Sequence, residues 1–310
     1  MSGYLEFQRP AMGSLFQLRL VGDDSEHLAA VADATFDEID RVERLLSWRD
    51  VRSATARINR EAAARPVLVD VEMCEVLQAC LSGAERTDGY FSVVQPRDDR
   101  EGSAFVDPLG IGRESGDLFL DVPRRLVRLA SSSNQLDFGG FGKGYALDRA
   151  ADVVRRYGVT AALLDAGGSS VVGIGDDLGR TWVVGLRNPF PPRPDRCESW
   201  SPEVFRLPLV DRALSCSATF DERAAQATSD LVDPHCGLPI EEPSACAVVG
   251  RSGAATEMLS TALVCMGRAR AEAYTRRSGN ILLDEASSIV WIAQRHGLPH
   301  VETLLARATE

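Results

Sequence analysis

The clearest pattern in the chain is helical. Between Leu28 and Trp48, apolar residues at Leu28, Val31, Phe36, Ile39, Val42 and Leu45 recur at helical spacing behind the capping candidates Asp24 and Ser25, which predicts a long amphipathic helix. A second helix is expected after Asp70, with Met73, Val76, Leu77, Cys80 and Leu81 facing inward and the turn residues Asp88 and Gly89 beyond its end. From Lys143, the residues Leu147, Ala150, Val153, Val154 and Tyr157 make a third apolar face, and Gly158 is a natural stop. A fourth helix is predicted over about Ala255–Arg276, with Met258, Ala262, Cys265 and Ala269 on one side. Strands are expected at Leu15–Val21, Ala161–Asp165, Trp182–Leu186, Val204–Val210, Ala245–Val249, Ile281–Asp284 and Ile289–Ala293, with a hairpin over Leu118–Ala130. Pro96–Gly112 and Ser131–Asn134 read as loops, and Pro189–Pro202 as an exposed excursion. Hairpins and helices do not alternate strictly, so the pattern predicts an α+β fold: mixed, largely antiparallel sheets with packed helices, in one domain over residues 1–310.

Composition narrows the function. A chain of 310 residues with 45% hydrophobic content can bury a substantial core. A net charge of -11 and a pI near 5.0 argue against a general nucleic-acid binder, because phosphate neutralisation needs a basic face. No apolar run is long enough to span a membrane, and Glu6, Arg9 and Pro10 interrupt the N-terminal apolar residues, so the expected setting is cytoplasmic. Seven cysteines with no Cys-x-x-Cys pair read as free thiols. All the basic residues but one are arginine; Lys143 is the only lysine, which suggests a place where a compact ammonium fits and a planar guanidinium does not.

That lysine lies in the sharpest local feature, Leu136-Asp-Phe-Gly-Gly-Phe-Gly-Lys-Gly-Tyr-Ala-Leu-Asp148. A glycine cluster leading into a helix exposes backbone N–H groups and a helix N-terminus to phosphate, with Lys143 as a point charge. It matches neither the Walker A loop nor the Rossmann fingerprint, and a purely structural turn is the other reading. Gly167-Gly168 follows the strand ending at Asp165, and Asp230-Leu-Val-Asp-Pro-His-Cys-Gly-Leu-Pro239 holds a tight Asp-Pro turn that also suits a plain hairpin connection. Glu257 and Thr261 share a helical face; they are either hard oxygen ligands for Mg²⁺ or an ordinary carboxylate and a back-bonded threonine.

The order of these clusters resembles that of the FAD:protein FMN transferases, the ApbE-like flavin transferases. The resemblance runs from Met12-Gly-Ser14 through Leu46-Ser-Trp-Arg49, Ser53–Asn59, Thr87-Asp-Gly-Tyr-Phe91, Asp137–Asp148, Ala166-Gly-Gly168 and the Asp-Pro turn to Glu257–Thr261. It implies an ApbE-like, T-fold-related architecture and Mg²⁺-dependent transfer of FMN from FAD to a Ser or Thr hydroxyl of a partner redox protein, with release of AMP. It also implies that Met12, Trp48, Gly89, Tyr90, Phe91, Asp137, Lys143 and Leu231 line the FAD site. Gly140, Glu257 and Thr261 would hold the metal, and Asp230 or His235 would serve as the base.

Several positions depart from the family pattern. Glu257 stands for an aspartate, one methylene longer, and Asp230 stands for the histidine of the family's His-x-x-Asp-Pro turn. Ser92 replaces the aspartate after Gly-Tyr-Phe, Ser169 follows the second glycine pair, and Cys216-Ser-Ala218 replaces Thr-Ser-Gly. Two alternatives therefore stand beside transfer: a non-catalytic FAD or FMN carrier, and a flavin site turned to another small-molecule reaction.

Overall fold

The computed structural model describes residues 3–96, 117–176, 179–188, 190, 201–219, 231–240, 242–277, 286–295 and 298–307. Its frame is an eight-stranded sheet in the order Gly3–Ala11, Ser14–Gly22, Ala162–Ala166, Ser170–Ile174, Arg212–Ala218, Ser244–Gly250, Ala286–Arg295, Leu298–Ala306. Every neighbouring pair in it is antiparallel. Spatial order equals chain order, so the sheet is a meander into which longer segments are inserted.

The helices occupy these insertions and pack on one face: α1 (Ser25–Leu46), α2 (Ala54–Glu61), α3 (Val71–Arg86), α4 (Gly142–Arg156) and α5 (Gly253–Thr275). Caps explain where several of them start. Asp24 accepts from the Glu26 and His27 N–H groups, Ser53 from Ala56, Asp70 from Met73 and Ser252 from Ala255. α4 differs, because its N-cap residue Phe141 supplies no side-chain bond.

Period-two alternation divides the central strands between two cores. Ala213, Cys246 and Val248 face the helices, whereas Leu214, Ala245, Ala247 and Val249 pack under the hairpin Trp182–Arg187/Glu203–Leu209 on the other face. Toward the Gly3–Ala11 edge only one face is covered: Phe16, Leu18 and Leu20 are buried while Leu15, Gln17 and Arg19 are exposed.

Most predicted elements occur, and the differences have physical causes. The edge strand Gly3–Ala11 was not predicted; it is mostly exposed and contains Pro10, which an edge strand tolerates. Ser170–Ile174, Arg212–Ala218, Leu298–Ala306 and α2 are also additions, while the predicted strand Ile281–Asp284 and the body of the Pro96–Gly112 and Pro189–Pro202 segments lie outside the described residues. Tyr157 was placed on the apolar face of α4, but it is the C-cap residue and is exposed, with Gly158 turning at φ +80° as expected. Ala269 was aligned with Met258, Ala262 and Cys265, yet it is exposed because α5 breaks at Gly267 (φ 71°, ψ 164°) and resumes at a different rotation.

Candidate active site

The site begins where two turns and a helix start converge. Met12 and Gly13 both adopt positive φ, 51° and 68°, closing a two-residue hairpin between Ala11 and Ser14. This conformation is unfavourable for methionine. It places the Met12 Cε against Gly142, 3.1 Å from where a Cβ there would lie. Beside it the Gly167-Gly168 turn comes so close that a Cβ on Gly167 would sit 1.9 Å from Ser14 Oγ. Met12, Gly13, Ser14, Glu43 and Gly167 border an open cleft of about 570 Å³.

The floor is built from the starts of α4 and α5. Gly144 and Gly253 touch backbone to backbone, since a Cβ on Gly144 would lie 2.1 Å from the Gly253 carbonyl oxygen. Asp148 caps α5, accepting from the Gly253 N–H (2.6 Å), the Ala254 N–H (3.0 Å) and the Ser252 hydroxyl (2.8 Å). In the other direction, the buried carboxylate of Glu257 on α5 accepts from the Gly144 N–H in the first turn of α4. Burial pushes the Glu257 carboxyl up to about 7, against the pull of the Lys143 charge and the Gly144 N–H.

Lys143 projects from the same turn and donates to Ser169 Oγ at 2.7 Å. Ser169 follows the Gly167-Gly168 turn, which Asp165 stabilises by accepting from the Gly168 N–H at 2.6 Å. Gly140 meets Thr261: a Cβ on Gly140 would be 3.2 Å from Thr261 Oγ1 and 3.5 Å from the Phe91 ring. Asp137 holds the glycine segment by accepting from the Gly139 N–H at 2.8 Å. Carboxylate, hydroxyl and carbonyl oxygens are the donor types a hard divalent cation takes, and a deeply buried carboxylate with one N–H donor favours such a charge. Among the described residues no three His, Cys, Asp or Glu side chains come together, so an ion here would rest on one protein carboxylate and complete its shell with neutral, water or phosphate oxygens.

Tyr90 and His235 form a rim beside this floor, on a separate hollow of about 340 Å³ that Asp88, Tyr274 and Arg277 also line. Gly89 (φ 80°) and Tyr90 follow α3, and the Tyr90 ring meets the exposed His235 ring edge-on at 4.4 Å. His235 sits in the turn organised by Asp233, which accepts from the His235 N–H through its side chain and from the Gly237 N–H through its carbonyl. Phe91 was expected to line the cleft, but it is 1% exposed and instead backs Gly140. Leu231 is half-buried against the helical core, and Trp48 carries the Arg49 guanidinium over its ring at 4.2 Å. Asp230 lies outside the described residues. The sequence marks Ser169 and Ser217 only as departures or motif members, whereas the structure places both in contact with site residues.

Among the described residues no helix is long and apolar enough to cross a membrane. A model of the ApbE family matches residues 12–282. An FAD:protein FMN transferase of Klebsiella pneumoniae (strain 342) is 26% identical over 244 residues, covering 74% of this chain and 72% of that protein. Another, of Salmonella typhimurium, is 22% identical over 297 residues, covering 86% and 80%. Among solved structures, the ApbE protein of Thermotoga maritima aligns with a TM-score of 0.76 at 21% identity over 97% of both chains. The apo flavinyl transferase ApbE of Pseudomonas stutzeri gives the same score and identity over 97% of this chain and 94% of that one. At such identity the structural likeness establishes the fold alone.

Proposed function

The chain belongs to the ApbE family, and from that premise we propose that it is a Mg²⁺-dependent transferase moving FMN from FAD to a Ser or Thr hydroxyl of a partner redox protein. The observation that carries this reading is the meeting of Lys143, fixed on Ser169, with buried Glu257 at the start of a helix whose N-cap side chain makes no bond. A helix N-terminus and a lysine are the groups that hold a diphosphate. In the reaction the acceptor oxygen bonds to the phosphorus of the FMN half. The phosphoanhydride bond to the AMP half breaks, AMP leaves with that electron pair, and the hydroxyl proton passes to a base.

Phosphoryl-type transfer is chiefly positioning and charge neutralisation. Lys143 supplies a fixed positive charge against the diphosphate. Gly140, Glu257 and Thr261 would hold the Mg²⁺, which when bound offsets charge on the phosphate oxygens. Met12, Trp48, Gly89 and Tyr90 offer apolar and backbone surface to the flavin half, with Asp137 bracing the glycine segment and Leu231 entering from the opposite turn. His235 on the Tyr90 edge, or Asp230 earlier in the same stretch of sequence, takes the acceptor proton.

Incubation with FAD, Mg²⁺ and a cell extract, followed by flavin fluorescence of denatured proteins and chromatography for AMP, tests this reading. Covalent flavin on an acceptor together with AMP is expected. Bound FAD without either product would replace transfer with a carrier role.

A further inference from the structure

Thr261 does not behave like the other helical threonines. Thr35, Thr256 and Thr275 donate to carbonyl oxygens of their own helices, at 2.7, 3.0 and 2.9 Å, and Thr55 on α2 donates to the Leu45 carbonyl of α1 at 2.9 Å. Thr261 instead meets a hydroxyl across the helix–sheet interface, with Ser217 Oγ 3.2 Å from its Oγ1. Ser217 Oγ is also 2.8 Å from Ser260 Oγ, and Ser260 Oγ lies 3.2 Å from Ser215 Oγ and 3.1 Å from the Glu257 carbonyl oxygen. Ser215 and Ser260 are buried, at 1% and 0% exposure, so bulk water cannot take over these contacts.

Each hydroxyl has one proton and two lone pairs, and a carbonyl only accepts. Ser260 donates either to Ser215 Oγ or to the Glu257 carbonyl oxygen, and either use commits its single proton. Ser217 must then donate to Ser260. With the Ser217 proton committed, Thr261 must donate to Ser217. The Thr261 proton is thereby drawn inward, and its remaining lone pairs are left for the Gly140 side.

We propose that Ser217, through Ser260, is a positioning residue that fixes Thr261 as an oxygen acceptor toward a hard divalent cation between Thr261, Gly140 and Glu257. This rests on the metal-dependent reading above. A free threonine hydroxyl would spend part of its time with its proton turned toward the cation, so the relay removes a competing orientation. Neighbours that orient a metal ligand are typically worth about 10- to 100-fold in metal affinity.

The test is an Mg²⁺ titration of the FAD-loaded full chain, followed by flavin fluorescence, for wild type, Ser217→Ala, Ser217→Thr and Ser260→Ala, with FAD affinity in EDTA measured in parallel. Ser217→Ala should weaken Mg²⁺ binding about 10-fold or more while leaving metal-free FAD affinity unchanged. Ser217→Thr, which keeps the hydroxyl, should restore it. Ser260→Ala should weaken Mg²⁺ binding less, since Ser217 still accepts from Thr261. Wild-type Mg²⁺ affinity in a folded Ser217→Ala would overturn the positioning role alone, as would failure of Ser217→Thr to restore binding with its Tm unchanged. A wild-type protein that binds FAD but shows no Mg²⁺ response would overturn the role together with the metal-dependent reading.

Discussion

The floor of the site and the rim beside it are built in opposite ways. On the floor, Lys143, Glu257 and Thr261 stand on two helices that touch at Gly144 and Gly253, and each polar group is bound by a residue distant in sequence. On the rim, Gly89, Tyr90 and His235 belong to turns whose bonds are local, supported by an exposed Asp88–Arg277 pair of the kind that contributes little. The two meet where Phe91 backs Gly140. A preformed floor suits charge that must be held still, and a rim of turns suits a surface that a second protein must reach. Changes to the floor should therefore alter stability and binding together, whereas changes to the rim should separate them.

The largest effect is expected from Gly144→Ala. Its methyl would meet the Gly253 backbone, which cannot swing aside, so α4 and α5 must part. Overpacking of this kind costs about 1–3 kcal/mol. The Tm should fall measurably in thermal melts and FAD binding should be lost, whereas an unchanged Tm would mean the helix starts are not in contact.

Next is Lys143→Met. Loss of one charge-assisted bond, worth about 1.5–3 kcal/mol, should raise the FAD Kd by about 10- to 100-fold, while Lys143→Arg should recover only part because a planar fork does not fit beside Ser169. Equal affinity of wild type and Lys143→Met in a fluorescence titration would remove the lysine from the phosphate site.

Glu257 gives a pH signature. Its folded pKa, about 7, lies above the ordinary carboxylate value of 4.5, so in EDTA the folded state keeps a proton that the unfolded chain has lost between those values. Stability should therefore fall as pH rises from about 4.5 to about 7 and level off above. Glu257→Gln should remove that decline and raise the metal-free Tm at pH 8, while abolishing the response to Mg²⁺. Melts across this range check the sign; a wild-type Tm that climbs with pH over this window would contradict the burial argument.

The smallest effect belongs to the rim. His235→Ala should change stability by no more than about 0.5 kcal/mol and leave FAD affinity nearly intact, with any loss confined to the rate of AMP release. A large drop in Tm would show that the rim is structural after all.

The same contrast explains what the sequence revealed. The helices were legible because their apolar faces repeat over many residues and their caps, Asp24 and Asp70, are local signals. Arg212–Ala218 was not, because Ala, Ser and Cys give little contrast between its faces, and Ser170–Ile174 is buried on both. Nothing around Gly267 distinguishes a helix break from an ordinary helical glycine, which is why Ala269 was misplaced. For the site, Lys143 and the Glu257/Thr261 pair stood out by composition and spacing. Their partners did not, because the Lys143–Ser169 and Gly144–Glu257 contacts span 26 and 113 residues and depend on the sheet. Ser217 carried no signal beyond its short motif, since its role depends on two hydroxyls on a helix more than 40 residues away.

The most direct test of the account is an FAD titration of the purified chain, followed by flavin fluorescence in EDTA and in Mg²⁺, with the nucleotides then separated to measure AMP. Saturable binding that Mg²⁺ strengthens, with AMP released when acceptor protein is present, is the expected result. Absence of FAD binding under both conditions would contradict the claim that the floor around Lys143 and Glu257 is a flavin-nucleotide site.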